Sequence, residues 1–247
     1  QKNDSISFQC AKKLNLVQGK IRVSSLNILY KLKDILSTIQ ENDGPIWKLV
    51  LQKNFPNKVI CKGNLEDNKL DSSQLEALQK AVNNDISYIW GPPGTGKTFT
   101  GAGLIVNLFR SIPNIRIGFA TTSHSACNNL AEAIKNWPLN NAELAKVLRS
   151  PTSDRTGIAG ITIANPDLKK IPRPFWSKDY QIFAGVVSPF CAPEFTQPEF
   201  QLDYLFIDEA GQMSLADAVA ISRSAKNIIL LGDPLQLPQV VQASHPE

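Results

Sequence analysis

Residues 91–98, GPPGTGKT, combine the residue types and the spacing that can hold a phosphate group. The glycines allow backbone N–H groups to turn inward around phosphate oxygens at the start of a helix. Lys97 can reach the β- and γ-phosphates of a nucleoside triphosphate, and the Thr98 hydroxyl can bind Mg²⁺. The sequence fits GxxxxGK[ST] at every fixed position, and an apolar segment precedes it as the pattern requires. The candidate phosphate-binding residues are Gly91, Gly94, Thr95, Gly96, Lys97 and Thr98.

Two carboxylates follow an apolar segment further along the chain. Residues 204–207 read YLFI, and Asp208 and Glu209 come directly after them. A carboxylate at this place in phosphate-loop enzymes binds Mg²⁺, and Asp208 fits that role. Glu209 is placed to polarise an attacking water as a general base. A solvated strand end can carry the same two residues, but the phosphate loop upstream favours the catalytic interpretation.

A third polar segment, GDPLQLP at residues 232–238, follows the next apolar run. Asp233 is a candidate nucleotide contact at the end of that run. Gln236 is a neutral donor that could contact the γ-phosphate and register its presence, so it is a candidate catalytic residue. A turn bounded by prolines is the alternative explanation of this segment.

The elements that must position these residues alternate between short apolar segments and helical patterns. Such alternation predicts an α/β fold, a mostly parallel sheet flanked by helices. The predicted strands are 86–90, 115–121, 181–187, 204–208 and 227–232, and the predicted helices are 97–109, 125–136 and 214–223. Trp90, just before the phosphate loop, is predicted to lie in the core.

Two regions do not follow this alternation. Residues 1–69 are expected to form an accessory region of strands plus one helix over 25–40, and residues 70–247 the nucleotide-binding domain. Residues 138–180 are rich in Pro, Asn and Lys and show little periodicity. They are predicted to be a long surface excursion from the sheet.

The amino-acid composition says more about the cellular compartment of the protein than about its function. The 247 residues include 26 basic and 22 acidic ones, and a net charge of +4 permits a polyanionic partner without requiring one. The scattered cysteines have no CxxC spacing, which argues against a disulfide framework or a zinc site. No run of about 18 apolar residues occurs, as a membrane helix would need. We therefore expect a cytoplasmic protein without a membrane partner, and the absence of an initiator methionine predicts a piece of a longer chain.

Together these segments resemble the superfamily 1 helicases of the Upf1-like group. GPPGTGKT is similar to their motif I, DEAGQ at 208–212 to motif II and GDPLQLP to motif III. LDSSQ at 70–74 resembles the Q-motif, which makes Gln74 the expected adenine contact, and TTSHSACNNL at 121–130 resembles motif Ia. The resemblance implies a RecA-like ATPase domain, the first of two, with ATP and Mg²⁺ as cofactors.

The same resemblance implies single-stranded nucleic acid, DNA or RNA, as a partner. Ser123, His124 and Asn128 are short polar groups suited to phosphate or sugar contacts. Ser188 stands where the family usually has a threonine that contacts nucleic acid. Alternatively, Ser123 caps the helix that follows it and His124 is merely exposed.

The implied activity is that of an ATP hydrolase coupled to movement on nucleic acid or to its unwinding. The second RecA-like domain and its arginine fingers are not in this chain, so we expect it to bind Mg-ATP but to hydrolyse it poorly. The C-terminal segment is similar to bacterial and archaeal proteins with a RecB-like nuclease region upstream, which implies a nuclease domain in the longer protein. An ATP-dependent switch that remodels a protein partner without moving along a strand is the alternative function.

Overall fold

The architecture comes from a computed structural model, which describes residues 32–37, 46, 70–92, 94–149, 161–163, 180–233 and 235. Residues 32–37 are helical, within the helix predicted over 25–40, and the rest of the predicted accessory region lies almost entirely outside the described residues. Gln236 and most of motif III also lie outside them. In chain order the elements are α1 (Ser72–Ala81), β1 (Ile86–Trp90), α2 (Lys97–Ser111), β2 (Ile117–Thr121), α3 (His124–Lys135), α4 (Asn141–Leu144), β3 (Val147–Arg149), β4 (Thr162–Ile163), β5 (Ile182–Val186), α5 (Val187–Phe190), β6 (Leu202–Ile207), α6 (Leu215–Ser222) and β7 (Ala225–Gly232), with 3₁₀ turns at Pro193–Thr196 and Ala210–Gln212.

Within the described part of the chain the sheet has seven strands in the order β1-β7-β6-β2-β5-β3-β4, and every neighbouring pair is parallel. This confirms the predicted α/β fold with a parallel sheet. Because all strands run the same way, their carboxyl ends meet at one edge. The segments that follow β1, β2, β5, β6 and β7 therefore converge there, including the phosphate loop and the acidic pair.

Both faces of the sheet are covered by apolar packing, as the nearly continuous apolar strands require. Along β6, Tyr204 and Phe206 belong to the core that α1, α2 and α3 cover. Leu205 and Ile207 belong to the core on the opposite face, with α6 and the segment around Phe190. Successive side chains of a strand point to opposite faces of the sheet, so the single apolar run of β6 contributes to both cores.

The helices α1, α3 and α6 begin where the sequence offers a side-chain cap. Asp71, Ser123 and Ser214 each accept a hydrogen bond from the backbone N–H of the third helical residue. Each oxygen satisfies one of the N–H groups that the first turn leaves without a helical partner. The starts of α3 and α6 lie within one residue of the predicted ones, whereas the sequence patterns predict no helix at α1.

The structure corrects two expectations. Residues 138–180 are not only a surface excursion, because β3 and β4 add to the sheet and Val147 and Leu148 are fully buried. Their strands are too short to show periodicity. Trp90 is 59% exposed, so its predicted place in the core is wrong. It lies on β1, which among the described residues ends the strand order and has a neighbour only on the β7 side.

Among the described residues, no helix has the length and apolarity to cross a membrane.

Candidate nucleotide-binding site

The phosphate loop joins β1 to α2, as the pattern predicts. Gly94 and Gly96 have φ values of +83° and +79°, in the left-handed region that glycine adopts without strain. Gly96 is also the N-cap residue of α2, and no side chain caps that helix. The first N–H groups of this 15-residue helix are therefore not satisfied by a side-chain cap, which favours a bound anion.

The side chains of Lys97 and Thr95 form hydrogen bonds with the backbone of the phosphate loop. The Lys97 ammonium donates hydrogen bonds to the carbonyl oxygens of Gly91 and Pro92. The Thr95 hydroxyl donates to the Pro92 carbonyl at 2.8 Å. A Cβ on Gly91 would overlap the Thr95 hydroxyl, so only glycine fits there. The positive charge thus lies over the loop, where a polyphosphate would be bound.

Asp208 and Thr98 are in hydrogen-bond contact at the C-terminal end of the phosphate loop. The Thr98 hydroxyl donates to Asp208 Oδ2 at 3.4 Å, although 110 residues separate them in sequence. Asp208 is only 4% exposed, and this burial raises the pKa of its carboxyl above the ordinary value, against the opposing effects of the Glu209 N–H and Thr98. A buried carboxylate beside a hydroxyl is a donor set that suits a hard cation such as Mg²⁺. These two residues fit the metal that the sequence implies.

Glu209 has a strained backbone for a non-glycine residue. Its φ of +53° and ψ of +40° lie in the left-handed region, a conformation that costs about 1 kcal/mol or more and recurs at functional sites. Its N–H donates to Asp208 Oδ1 at 2.9 Å. The turn then enters the 3₁₀ segment, where Gln212 Nε2 donates to Glu209 Oε2 at 3.1 Å. Gln212 therefore orients the candidate base, a role that the sequence analysis did not assign to it.

The end of β7 closes against the phosphate loop and the acidic turn. The Gly91 N–H donates to the Gly232 carbonyl at 3.3 Å. Asp233 is 5% exposed, and its Oδ1 accepts from Trp90 Nε1 at 3.1 Å and from the Leu235 N–H at 2.9 Å. Asp233 thus ties the ends of β1 and β7 together beside the candidate nucleotide. This hydrogen bond fixes the orientation of the Trp90 indole although most of the side chain is exposed.

Gln74 lies next to the phosphate loop. Its Oε1 accepts from the Asp71 N–H at 3.1 Å and its own N–H donates to Asp71 Oδ1 at 2.8 Å, a reciprocal capping box. A Cβ built on Gly96 would lie 3.7 Å from Gln74 Nε2. The spacing Asp-x-x-Gln at residues 71–74 is the sequence signal of this capping box. The cap fixes the side chain that the resemblance assigns to adenine.

The candidate nucleic-acid residues gather further along the same edge of the sheet. Ser123 and His124 follow β2, and Ser188 lies in α5 directly after β5, the neighbouring strand. Asn128 lies one turn into α3 and is half-buried. The Ser123 hydroxyl oxygen accepts from the Ala126 N–H at 3.1 Å. The capping interpretation of Ser123 is therefore correct, and its hydroxyl hydrogen can still donate to a phosphate.

Comparison with known proteins places these segments in a family. The AAA domain family matches residues 69–245. The chain is similar to the "DNA replication ATP-dependent helicase/nuclease DNA2" of Saccharomyces cerevisiae, with 29% identity over 185 residues, 72% of this chain and 11% of that protein. It is also similar to "Regulator of nonsense transcripts 1" of Caenorhabditis elegans, with 25% identity over 233 residues, 80% of this chain and 21% of that protein.

A third relative is the "DNA polymerase alpha-associated DNA helicase A" of Saccharomyces cerevisiae, 36% identical over 114 residues, which are 45% of this chain and 16% of that protein. The chain thus spans between 11% and 21% of the length of these relatives. Two of these three names contain the word helicase, in agreement with motifs I, II and III. The chain belongs to the AAA domain family, and it is a RecA-like domain of the Upf1-like group of superfamily 1 helicases.

Proposed function

We propose that this domain binds and hydrolyses Mg-ATP, and that it supplies the first half of a motor site acting on single-stranded nucleic acid. The observation that carries the proposal is the hydrogen bond between Thr98, at the end of the phosphate loop, and Asp208. Glu209 follows Asp208 in the chain and donates its N–H to the Asp208 carboxylate. A buried carboxylate, a hydroxyl, an ammonium and a helix N-terminus converge there on one small volume. This donor set matches the charge of a nucleoside triphosphate and its divalent cation.

Each residue has a distinct role in this proposal. The N–H groups of Gly94 to Thr98 bind the phosphate oxygens, and Lys97 exchanges its carbonyl partners for the β- and γ-phosphates. Thr98 and Asp208 hold Mg²⁺, which neutralises charge on the phosphates when it is bound. Glu209 orients the attacking water and accepts its proton, with Gln212 fixing the carboxylate. Gln236, beyond the described residues, is proposed to sense the γ-phosphate.

Adenine recognition is assigned to Gln74. An amide can donate to N7 and accept from the N6 amino group of adenine at the same time. Gln74 Oε1 already accepts from the Asp71 N–H, but a carbonyl oxygen has a second lone pair. The capping box therefore orients the amide without using up its capacity to bind the base.

The nucleic acid is proposed to cross the carboxyl ends of β2 and β5. Ser123, His124, Asn128 and Ser188 all lie there, one strand (β2) or two strands (β5) away from the acidic turn after β6. One relative is named a DNA helicase, which supports nucleic acid as the proposed partner of this edge. Polar contacts of this type position a strand through its phosphates and sugars and carry no base preference.

Productive hydrolysis is proposed to need the second RecA-like domain, which supplies arginine fingers in this group. An upstream nuclease domain remains a prediction from the resemblance of the C-terminal segment. Cytoplasmic localisation likewise remains a prediction.

Direct binding tests this proposal on the chain itself. Isothermal titration calorimetry should show saturable ATP binding that needs Mg²⁺. Fluorescence anisotropy should show binding of a labelled single-stranded oligonucleotide, DNA or RNA. A chain that binds ATP but neither type of strand would contradict the motor assignment and favour the protein-directed switch. A chain that does not bind ATP would contradict the proposal as a whole.

A further inference from the structure

The indole of Trp90 lies directly before the phosphate loop and has no role in the chemistry described above. Trp90 is 59% exposed, so burial of its ring does not explain its orientation. Its Nε1 donates to Asp233 Oδ1 at 3.1 Å, across the 143 positions that separate the two residues in sequence. An indole has a single donor, and a hydrogen bond to a charged acceptor is stronger than one between neutral groups. The contact therefore holds Asp233 from the β1 side.

The carboxylate of Asp233 is turned toward the protein. The residue is 5% exposed, and its Oδ1 also accepts from the Leu235 N–H at 2.9 Å. A side-chain oxygen that binds the N–H two residues further on stabilises a turn. One carboxylate oxygen thus fixes the backbone that leaves β7 and joins it to the strand that leads into the phosphate loop.

The backbone around Asp233 packs directly against the turn at residues 208–212, which carries Glu209. A Cβ on Gly211 would lie 2.9 Å from the Asp233 carbonyl oxygen, too close for any side chain. A Cβ on Gly232 would lie 3.3 Å from the Gly211 backbone nitrogen. Glycine at both positions lets the two backbone segments touch. A displacement of Asp233 therefore displaces this turn as well.

The turn at residues 208–212 needs support from its surroundings. Glu209 has a left-handed backbone, a conformation that costs free energy and persists only where neighbouring structure holds it. Gln212 Nε2 donates to Glu209 Oε2 at 3.1 Å, so the orientation of the candidate base depends on the same turn. The phosphate loop, by contrast, has its own hydrogen bonds from Lys97 and Thr95. A contact that holds the turn therefore affects hydrolysis more than ATP binding.

We propose that Trp90 is a positioning residue for ATP hydrolysis, which acts through Asp233 on the turn that carries Glu209. Asp233 serves in the same way, as an acceptor that fixes the backbone after β7. This inference rests on the proposed function, because that function assigns the attacking water to Glu209. Trp90 itself contacts neither the nucleotide nor the water, so its loss lowers the rate of hydrolysis and spares the affinity for ATP.

The test measures hydrolysis and binding separately on the 247-residue chain. The rate constant of hydrolysis is measured in single turnovers with the chain in excess over Mg-ATP, and the affinity by calorimetry. Trp90→Phe keeps an exposed aromatic ring but removes the N–H donor. It should slow hydrolysis about 10- to 100-fold, the range seen when a partner that orients a site residue is lost, and leave the ATP affinity unchanged.

Variants of Asp233 show whether Trp90 acts through this residue. Asp233→Ala should slow hydrolysis at least as much as Trp90→Phe does. The double variant should be no slower than Asp233→Ala alone, because both changes remove the same link. Asp233→Asn keeps an oxygen that can accept from both N–H groups, so it should slow hydrolysis much less than Asp233→Ala.

A matched control is available on the same strand. Tyr88 is 45% exposed and lies two residues before Trp90, so both side chains point to the same face of β1. Tyr88→Phe removes a polar group from this face but leaves the bond between Trp90 and Asp233 in place, and it should hydrolyse ATP as the wild type does. Glu209→Gln gives the background rate of the assay. Melting temperatures of all variants show whether the fold is kept.

The outcomes separate the two claims. If Trp90→Phe hydrolyses ATP at the wild-type rate, or loses rate and affinity together, the positioning role is wrong and the ATP site stands. Additive losses in the double variant would also contradict an action through Asp233. If the wild type binds no ATP, or completes no turnover above the Glu209→Gln background, the proposed hydrolysis and the role of Trp90 both fail.

Discussion

At the residue scale, Asp208 shows how burial prepares a metal ligand. Its carboxylate is removed from water, which raises its pKa, and a divalent cation reverses that penalty by favouring the charged form. A carboxyl group whose pKa is higher in the folded protein stabilises the fold at low pH. It loses that contribution as pH rises through the folded value.

The raised pKa of Asp208 predicts how the stability of Asp208→Asn depends on pH. Without Mg²⁺ or nucleotide, the melting temperature of the wild type should fall relative to the variant as pH rises above the ordinary aspartate pKa of 3.8. For a domain of this size, each kcal/mol corresponds to roughly 2–4 °C. Scanning calorimetry in EDTA between pH 4 and pH 7 measures the difference. Parallel curves for the two proteins would contradict the buried charge at this position.

The same variant should bind ATP without any response to Mg²⁺. The wild type should bind ATP more tightly when the cation is added, because Asp208 and Thr98 hold it against the phosphates. Calorimetric titrations with and without Mg²⁺ provide the comparison. An unchanged Mg²⁺ response in Asp208→Asn would remove Asp208 from the metal site.

A second residue-scale prediction concerns Lys97. Lys97→Ala should weaken ATP binding about 10- to 100-fold, the range expected for hydrogen bonds from a charged donor. Lys226→Ala is the matched control, because Lys226 pairs with Asp203 at 2.9 Å at the opposite edge of the sheet. Calorimetry on both variants decides the point. Equal ATP affinity in the two would contradict a role for the ammonium at the phosphates.

At the element scale, the start of α3 combines a structural and a functional role. Ser123→Ala removes the cap and should lower stability by about 1 kcal/mol and weaken single-strand binding. Ser123→Asp keeps a good cap but places a negative charge where a phosphate would be bound. It should keep the melting temperature and still lose strand binding.

The cap of α6 provides the control for Ser123. Ser214→Ala removes the equivalent hydrogen bond to the Asp217 N–H, so it should lower stability to a similar extent and leave strand binding intact. Thermal melts and fluorescence anisotropy with a labelled single strand separate the two roles. Normal strand binding by Ser123→Asp would exclude this helix start from the nucleic-acid surface.

The elements also show what the sequence could and could not predict. The strands that carry the site were predictable because both faces are buried, so their apolar runs are nearly continuous. The start of β6 was missed by two residues because Asp203 interrupts the apolar run, and its side chain is satisfied by the Arg116 N–H at 2.9 Å. The strands β3 and β4 were missed because they span only 3 and 2 residues.

The site was predictable where a fixed spacing exists and not where contacts come from the fold. The phosphate loop and Asp208 have such spacing. The contact of Trp90 with Asp233 joins residues 143 positions apart and depends on β1 pairing with β7. The left-handed turn at Glu209, which brings Gln212 to the carboxylate, has no signal in residue types alone.

At the scale of the whole molecule, one edge of the sheet carries both candidate sites. The nucleotide site lies at the ends of β1, β7 and β6, and the candidate strand contacts lie at the ends of β2 and β5. β6 pairs with both β7 and β2, so the acidic turn after β6 lies directly beside the candidate nucleic-acid contacts that follow β2. A shift of that turn during hydrolysis would move the neighbouring residues that are proposed to contact the nucleic acid.

A single RecA-like domain supplies only part of a site that two such domains are proposed to share. The chain alone should therefore bind ATP and turn it over slowly, because an arginine finger contributes about 10³- to 10⁵-fold to the rate. Steady-state hydrolysis by the 247 residues provides this measurement. Rapid turnover by the chain alone would contradict the need for a second domain.

The most direct test is steady-state ATP hydrolysis by a protein extended through the second domain, with and without single-stranded DNA or RNA. We predict that a strand stimulates turnover and that Glu209→Gln lowers the stimulated rate about 10²- to 10⁴-fold, as expected for the loss of a general base. The better stimulant then identifies the natural strand. Turnover that responds to neither strand would contradict the motor and favour a protein-directed switch.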